Sequence, residues 1–283
     1  VLVDRGRLVR GGAVPATPPS LQRRHAVSRW FGAGIGPGMQ LSPSTRAAPP
    51  RPPELHRAGR ARGGRHPRPL ELLALALLGY VGLTAVFTLL GLAVTGPLDA
   101  SVGDLDRRVA ERFADGRTPA ADTWSYWGSM LAETGVKIVA TALVVVVLVW
   151  VWRRWDDAAL VAGALILEAS VFITVTFVVG RPRPDVVRLD DSPVDSSFPS
   201  GHVAAAVVYA AVVVVIARHT TKRWPVVVSS SVVAAIALTV AWARMYRGMH
   251  HLSDVVAGAL LGVASLAVAV WIARAARRTE VAT

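Results

Sequence analysis

Six long apolar runs fill most of this chain after residue 69, and they constrain its fold before any motif is read. They extend over Leu70 to Val94, Val136 to Trp152, Ala158 to Val179, His202 to Ala217, Pro225 to Ala243 and Leu252 to Ala273. A bilayer-crossing helix needs ~20 mostly apolar residues, so each run is long enough to span or nearly so. The second and fourth are short and borrow flanking residues. The expected fold is all-α, a polytopic membrane bundle of six transmembrane helices over residues 70–275. Composition agrees, with 53% hydrophobic residues and a mean hydropathy of +0.44, because the apolar excess lies in these runs.

Charge is distributed as unevenly as hydrophobicity. The formal net charge is +12, but residues 1–69 hold 13 arginines against Asp4 and Glu54, while the remainder carries 18 basic and 17 acidic residues. The basic excess therefore describes the first segment, and no nucleic-acid groove is expected in the body. Residues 1–69 are rich in Arg, Pro and Gly, with too little apolar periodicity to bury a core, and read as a disordered basic tail. Their arginines are scattered rather than set beside the membrane, which favours an unstructured extension over a lipid-binding arm. There is no cysteine, hence no disulfide, thiolate ligand or cysteine nucleophile. With six crossings, Arg153, Arg154, the Arg218 to Arg223 run and Arg274, Arg277 and Arg278 fall on one side. The positive-inside rule makes that side cytoplasmic, together with both termini and a C-terminal tail at 276–283.

The stretch from Pro97 to Met130 is too polar to span. Val102, Leu105, Val109 and Phe113 recur at helical spacing among charged residues, which predicts an amphipathic interfacial helix. Trp124, Tyr126 and Trp127 follow as an aromatic belt at headgroup level.

Chemistry is concentrated in three short segments between the later runs: Gly180-Arg181-Pro182-Arg183-Pro184, Pro199-Ser200-Gly201-His202, and Arg244 to Asp254. Charge at the ends of membrane helices is expensive and marks a site. Arginine forks fit phosphate oxygens, and two histidines with one carboxylate supply a nucleophile, an acid and an orienter. Pro199-Ser200-Gly201 ends a loop where a helix begins, and the unpaired N–H groups of a helix N-terminus attract anions. Gly201 is expected to let the backbone approach phosphate, with Ser200 adding a hydroxyl. His250 and Asp254 stand four apart, on one face if the stretch is helical. Arg181, two before Arg183 in an extended segment, is expected to point to the same side.

In order and spacing these segments resemble the three-part signature of the type 2 phosphatidic acid phosphatase family, the membrane lipid phosphate phosphatases. Arg183-Pro184 fits the end of the first motif, Pro199 to His202 match the second, and Arg244, His250 and Asp254 fall at the spacing of the third. The family lysine of the first motif corresponds to Thr176, and a serine of the third to Ala243. The resemblance implies a metal-free phosphatase with no cofactor. His250 would form a phosphohistidine, with Asp254 orienting it, His202 protonating the leaving alkoxide, and Arg183 and Arg244 binding phosphate. Implied substrates are a lipid phosphomonoester or a polyprenyl pyrophosphate, taken from the bilayer on the extracytoplasmic face. Arg181 is the nearest charge to compensate for Thr176. Two rival readings are a vanadate-dependent haloperoxidase, whose relatives are typically soluble, and a non-catalytic membrane binder or transporter, which would need only the arginines. Asp190, Asp191 and Asp195 read as a solvated acidic loop rather than a metal site. Glu168, Glu133 and Lys137 read as packing pairs, and His251 as incidental.

Overall fold

The computed structural model describes residues 69–280, so the reading of the N-terminal segment as a disordered tail falls outside the described residues. Among the described residues there are nine α-helices and no strand. They are α1 (Pro69–Thr95), α2 (Asp104–Asp115), α3 (Pro119–Met130), α4 (Thr134–Val146), α5 (Trp155–Val179), α6 (Gly201–Val208), α7 (Ala210–His219), α8 (Arg223–Tyr246) and α9 (Leu252–Glu280). α4 continues through a π-helical turn at Val147–Val151, and a second such turn, Asp99–Gly103, leads into α2. Six candidate spans are long and apolar enough to cross a membrane, with α6 and α7 together forming the fourth. The chain is a multi-pass membrane protein.

Each span begins or ends within a few residues of the apolar run that predicts it, and the differences follow from polar residues the helix can still accommodate. α8 runs from Arg223 to Tyr246, carrying Arg244 in its last turn. α9 reaches Glu280, so part of the expected C-terminal tail is helical.

α9 packs against α1, α5 and α6, and α8 against α3 and α6. Between membrane helices the lipid tails are as apolar as leucine, so association depends on close contact and favours small residues. Gly258 shows this directly: a Cβ there would stand 2.3 Å from the Ser200 carbonyl oxygen. α9 therefore lies against the start of α6. Beneath that contact, Phe87, Val171, Val175, Phe198, Ala204 and Leu261 form a buried cluster joining α1, α5, α6 and α9. Phe198 is fully buried, and it anchors the loop that carries Ser200 and His202.

The segment before α4 differs from its expectation. It forms two helices rather than one, separated at Gly116 to Thr118, where the Thr118 hydroxyl accepts a bond from the Ala121 N–H and caps α3. The buried face of α2 holds Asp106 and Ala110, while Leu105 is exposed. Asp106 is turned inward because Arg181 and Ser253 bind it there.

Candidate active site

Three connections meet at one end of the bundle: the α5–α6 loop, the α8–α9 loop and the short link between α3 and α4. The α8–α9 loop presents His250, buried and just before α9. Its Nδ1 donates to the Ser197 carbonyl at 2.7 Å, which leaves Nε2 as the unprotonated, nucleophilic nitrogen. Burial, then the nearby charges of Arg244 and Arg183, hold this imidazole well below the ordinary histidine pKa. It stays neutral at neutral pH.

Asp254 does not hydrogen-bond His250, contrary to the expected orienting role. The two are not on one helical face, because His250 precedes α9, and the Asp254 Oδ2 to His250 Nδ1 distance is 4.0 Å. Asp254 instead accepts from the Ser197 hydroxyl, from an Arg181 guanidinium nitrogen and from the His251 N–H at 2.8 Å. It fixes Ser197, and the Ser197 carbonyl fixes His250. Asp254 also caps α9 through that His251 bond.

Arg181 is committed elsewhere than to phosphate. It is buried between Asp254 and Asp106, at 2.9 Å from Asp106 Oδ2, and donates to the Ser253 hydroxyl at 2.7 Å. The expectation that it shares a side with Arg183 and replaces the family lysine is corrected: two carboxylates neutralise it. Thr176 likewise faces the protein, donating to the Phe198 carbonyl at 3.1 Å.

Arg183 donates to the Pro193 carbonyl at 2.8 Å, to the Ser196 hydroxyl at 3.0 Å and to the Met249 carbonyl, next to His250. Arg244 reaches from α8 to the Ser129 hydroxyl at 2.8 Å and to Asp190 at 3.1 Å. Its Nε is buried without a partner, as is the Ser200 hydroxyl. Two donors are thus left for an anion. Ser200 precedes α6, whose first-turn N–H groups have no intrahelical acceptor. Gly201 also serves packing: a Cβ there would meet the Phe172 ring at 2.8 Å.

A polar cavity of about 410 Å³ opens beside these groups, lined by Arg244, His202, Glu133, Asp190, Ser129 and Tyr126 among others. His202 Nε2 lies 3.1 Å from Glu133 Oε2. Glu133 therefore pairs with His202, not with Lys137. Burial alone would raise the Glu133 pKa, but the His202 hydrogen bond, the Thr134 N–H and the Arg244 charge bring it below the ordinary value. Asp190 is no solvated loop residue either. It accepts two bonds from Arg247 Nε at 2.9 Å, and the arginine charges lower its pKa despite burial. Arg247 also stacks over Tyr126, 5.7 Å from the ring centroid. Among the described residues no group of three or more His, Cys, Asp or Glu is arranged to hold a metal ion.

The motifs thus bring together His250, His202, Arg183, Arg244 and Ser200, and leave Arg181 and Thr176 outside. Sequence reading missed Ser197 and the pairing of Asp106, and gave Glu133 and Asp190 other roles.

An all-helical multi-pass membrane fold with histidines and arginines clustered at one end of the bundle defines the class. Residues 157–278, which include all three motifs, match the model of the PAP2 superfamily. No curated protein matches by sequence. Among solved structures, the chain is similar to a transmembrane PAP2-type phosphatidylglycerolphosphate phosphatase from Bacillus subtilis. That likeness has 20% identity and a TM-score of 0.58, covering 69% of this chain and 95% of the other. Aquifex aeolicus LpxE gives 19% identity and a TM-score of 0.45, over 59% and 95%. The fold is that of the PAP2 membrane phosphatases.

Proposed function

We propose that this protein hydrolyses a lipid phosphomonoester or polyprenyl pyrophosphate through a phosphohistidine at His250, on the extracytoplasmic face. The observation that carries the reading is the His250 bond to the Ser197 carbonyl, which leaves Nε2 neutral and free beside Arg244 and Arg183. Nε2 attacks phosphorus as the ester P–O bond breaks, and the proton on His202 passes to the departing oxygen. Water then attacks phosphorus, the P–N bond breaks, and His202 takes the water proton as phosphate leaves. The arginine forks, the Ser200 hydroxyl and the first N–H groups of α6 stabilise the equatorial oxygens.

We assign the lipid chain to a neighbouring cavity. An apolar cavity of about 480 Å³ between α4, α5, α7 and α8 begins at Leu131 and Tyr209 and runs past Val136, Val144 and Val232. Its upper end is two residues from Glu133. Purified protein in micelles with chelator is expected to release inorganic phosphate from a lipid phosphate, and His250→Ala protein to release none. Binding of lipid phosphate without release by the wild type would instead support a non-catalytic binder.

A further inference from the structure

Glu133 precedes α4, in the link that closes the cavity opposite Arg244. Its side chain is 42% exposed, and its Oε2 lies 3.1 Å from His202 Nε2. The two residues are 69 positions apart, one in the α3–α4 link and the other in α6, so the pair exists only through the fold. Neither the PAP2 match, which begins at residue 157, nor the motifs include Glu133.

We infer that Glu133 is a positioning residue that holds the leaving-group proton on His202 Nε2, so that His202 serves as a cationic acid toward esters whose alcohol leaves poorly. The inference rests on the phosphatase reading. Its electrostatic basis is the company His202 keeps. Arg244 from α8 and Lys137 from α4 are positive, His250 approaches from the α8–α9 loop, and Asp190 from the α5–α6 loop is bound to Arg247. A proton placed on His202 is repelled by two of these cations, and Glu133 supplies the anion that retains it. The imidazolium carries a proton on each nitrogen, and Glu133 fixes which one is transferred, the Nε2 proton that faces its carboxylate. The ester oxygen enters the same cavity and takes that proton as its bond to phosphorus breaks. In the second half-reaction the water proton returns to Nε2, again facing Glu133.

The test compares two phosphomonoesters. Dodecyl phosphate releases an alkoxide that needs a proton, whereas 4-nitrophenyl phosphate releases a stable phenolate that does not. Glu133→Gln keeps the size and removes the charge. It is expected to lower kcat on dodecyl phosphate by ~10-fold or more at pH 8, within the range a general acid commands. The alkaline limb of its pH profile should move about one pH unit lower, as the loss of a neighbouring charge requires. The pre-steady-state burst of 4-nitrophenol, which reports the first step alone, should change in rate by less than about 2-fold. Equal losses on both esters, or an unmoved alkaline limb, would overturn the inference. If Glu133→Gln protein does not fold, Glu133→Asp keeps the charge at shorter reach. It should slow dodecyl phosphate selectively, and an equal loss on both esters would again overturn the inference. A wild type inactive on both esters sinks the phosphatase reading as well, which is a distinct outcome from an active wild type without selectivity.

Discussion

Asp254 takes nothing from His250 and three hydrogen bonds from Ser197, Arg181 and the His251 N–H. Its loss therefore reaches catalysis through the backbone and stability through an ion pair. Asp254→Asn leaves the buried Arg181 with Asp106 alone, and removing one member of such a buried set costs ~3–5 kcal/mol. A clear drop in melting temperature in detergent is expected alongside slow turnover, whereas a carboxylate that only oriented His250 would leave the melting temperature unchanged. Arg181→Ala should behave the same way, with Thr176→Lys giving no rescue. For His250, the expected reading by ¹⁵N imidazole shifts is a neutral ring protonated at Nδ1 at pH 6. Its folded pKa is depressed, so the unfolded chain binds the proton first as pH falls below about 6.5, and stability is lost in that direction. Motif spacing pointed to the histidines and arginines of the candidate site because those residues are close in sequence to helix ends. Their partners were not legible: Asp106 and Arg181 are 75 residues apart, and only the packed bundle brings them together.

At the level of the helices, hydropathy was enough to find all six spans, since bilayer length and apolar composition leave few alternatives. It could not find the break between α6 and α7 at Tyr209, whose hydroxyl donates to the Leu131 carbonyl at 2.9 Å. Nor could it give the facing of α2, because one buried ion pair overrode the apolar stripe. The contact of α9 with α6 makes a sharper test. Gly258→Ala forces a methyl group against the Ser200 carbonyl, and overpacking of this kind costs ~1–3 kcal/mol. Because Ser200 and His202 sit at that contact, Gly258→Ala is expected to lose both thermal stability and turnover. An unchanged melting temperature and rate would show that the helices separate without consequence.

Across the whole molecule, one buried carboxylate at the end opposite the motifs ties three helices together, with Asp156 adding a second contact to Arg277. Asp157 at the start of α5 accepts from Arg218 at 3.1 Å, from His219, and from Arg277 at 2.8 Å, tying together the ends of α5, α7 and α9. Part of the basic excess there is consequently neutralised within the protein. Arg153, Arg154, Lys222, Arg223 and Arg274 still carry the positive-inside signal. A reporter fused after Arg278 is therefore expected to be active only in a cytoplasmic form, and one inserted near Asp191 only in an extracytoplasmic form. The opposite pattern would invert the orientation.

Asp190 has a consequence for the end of the catalytic cycle. Its carboxylate pairs with Arg244, which lines the polar cavity, and with Arg247. An anion leaving the cavity is thus succeeded by one that the chain carries itself, tethered and at high local concentration. Product inhibition should be weak for that reason. Asp190→Asn is expected to bind inorganic phosphate more tightly, seen as a lower inhibition constant, with release becoming the slow step.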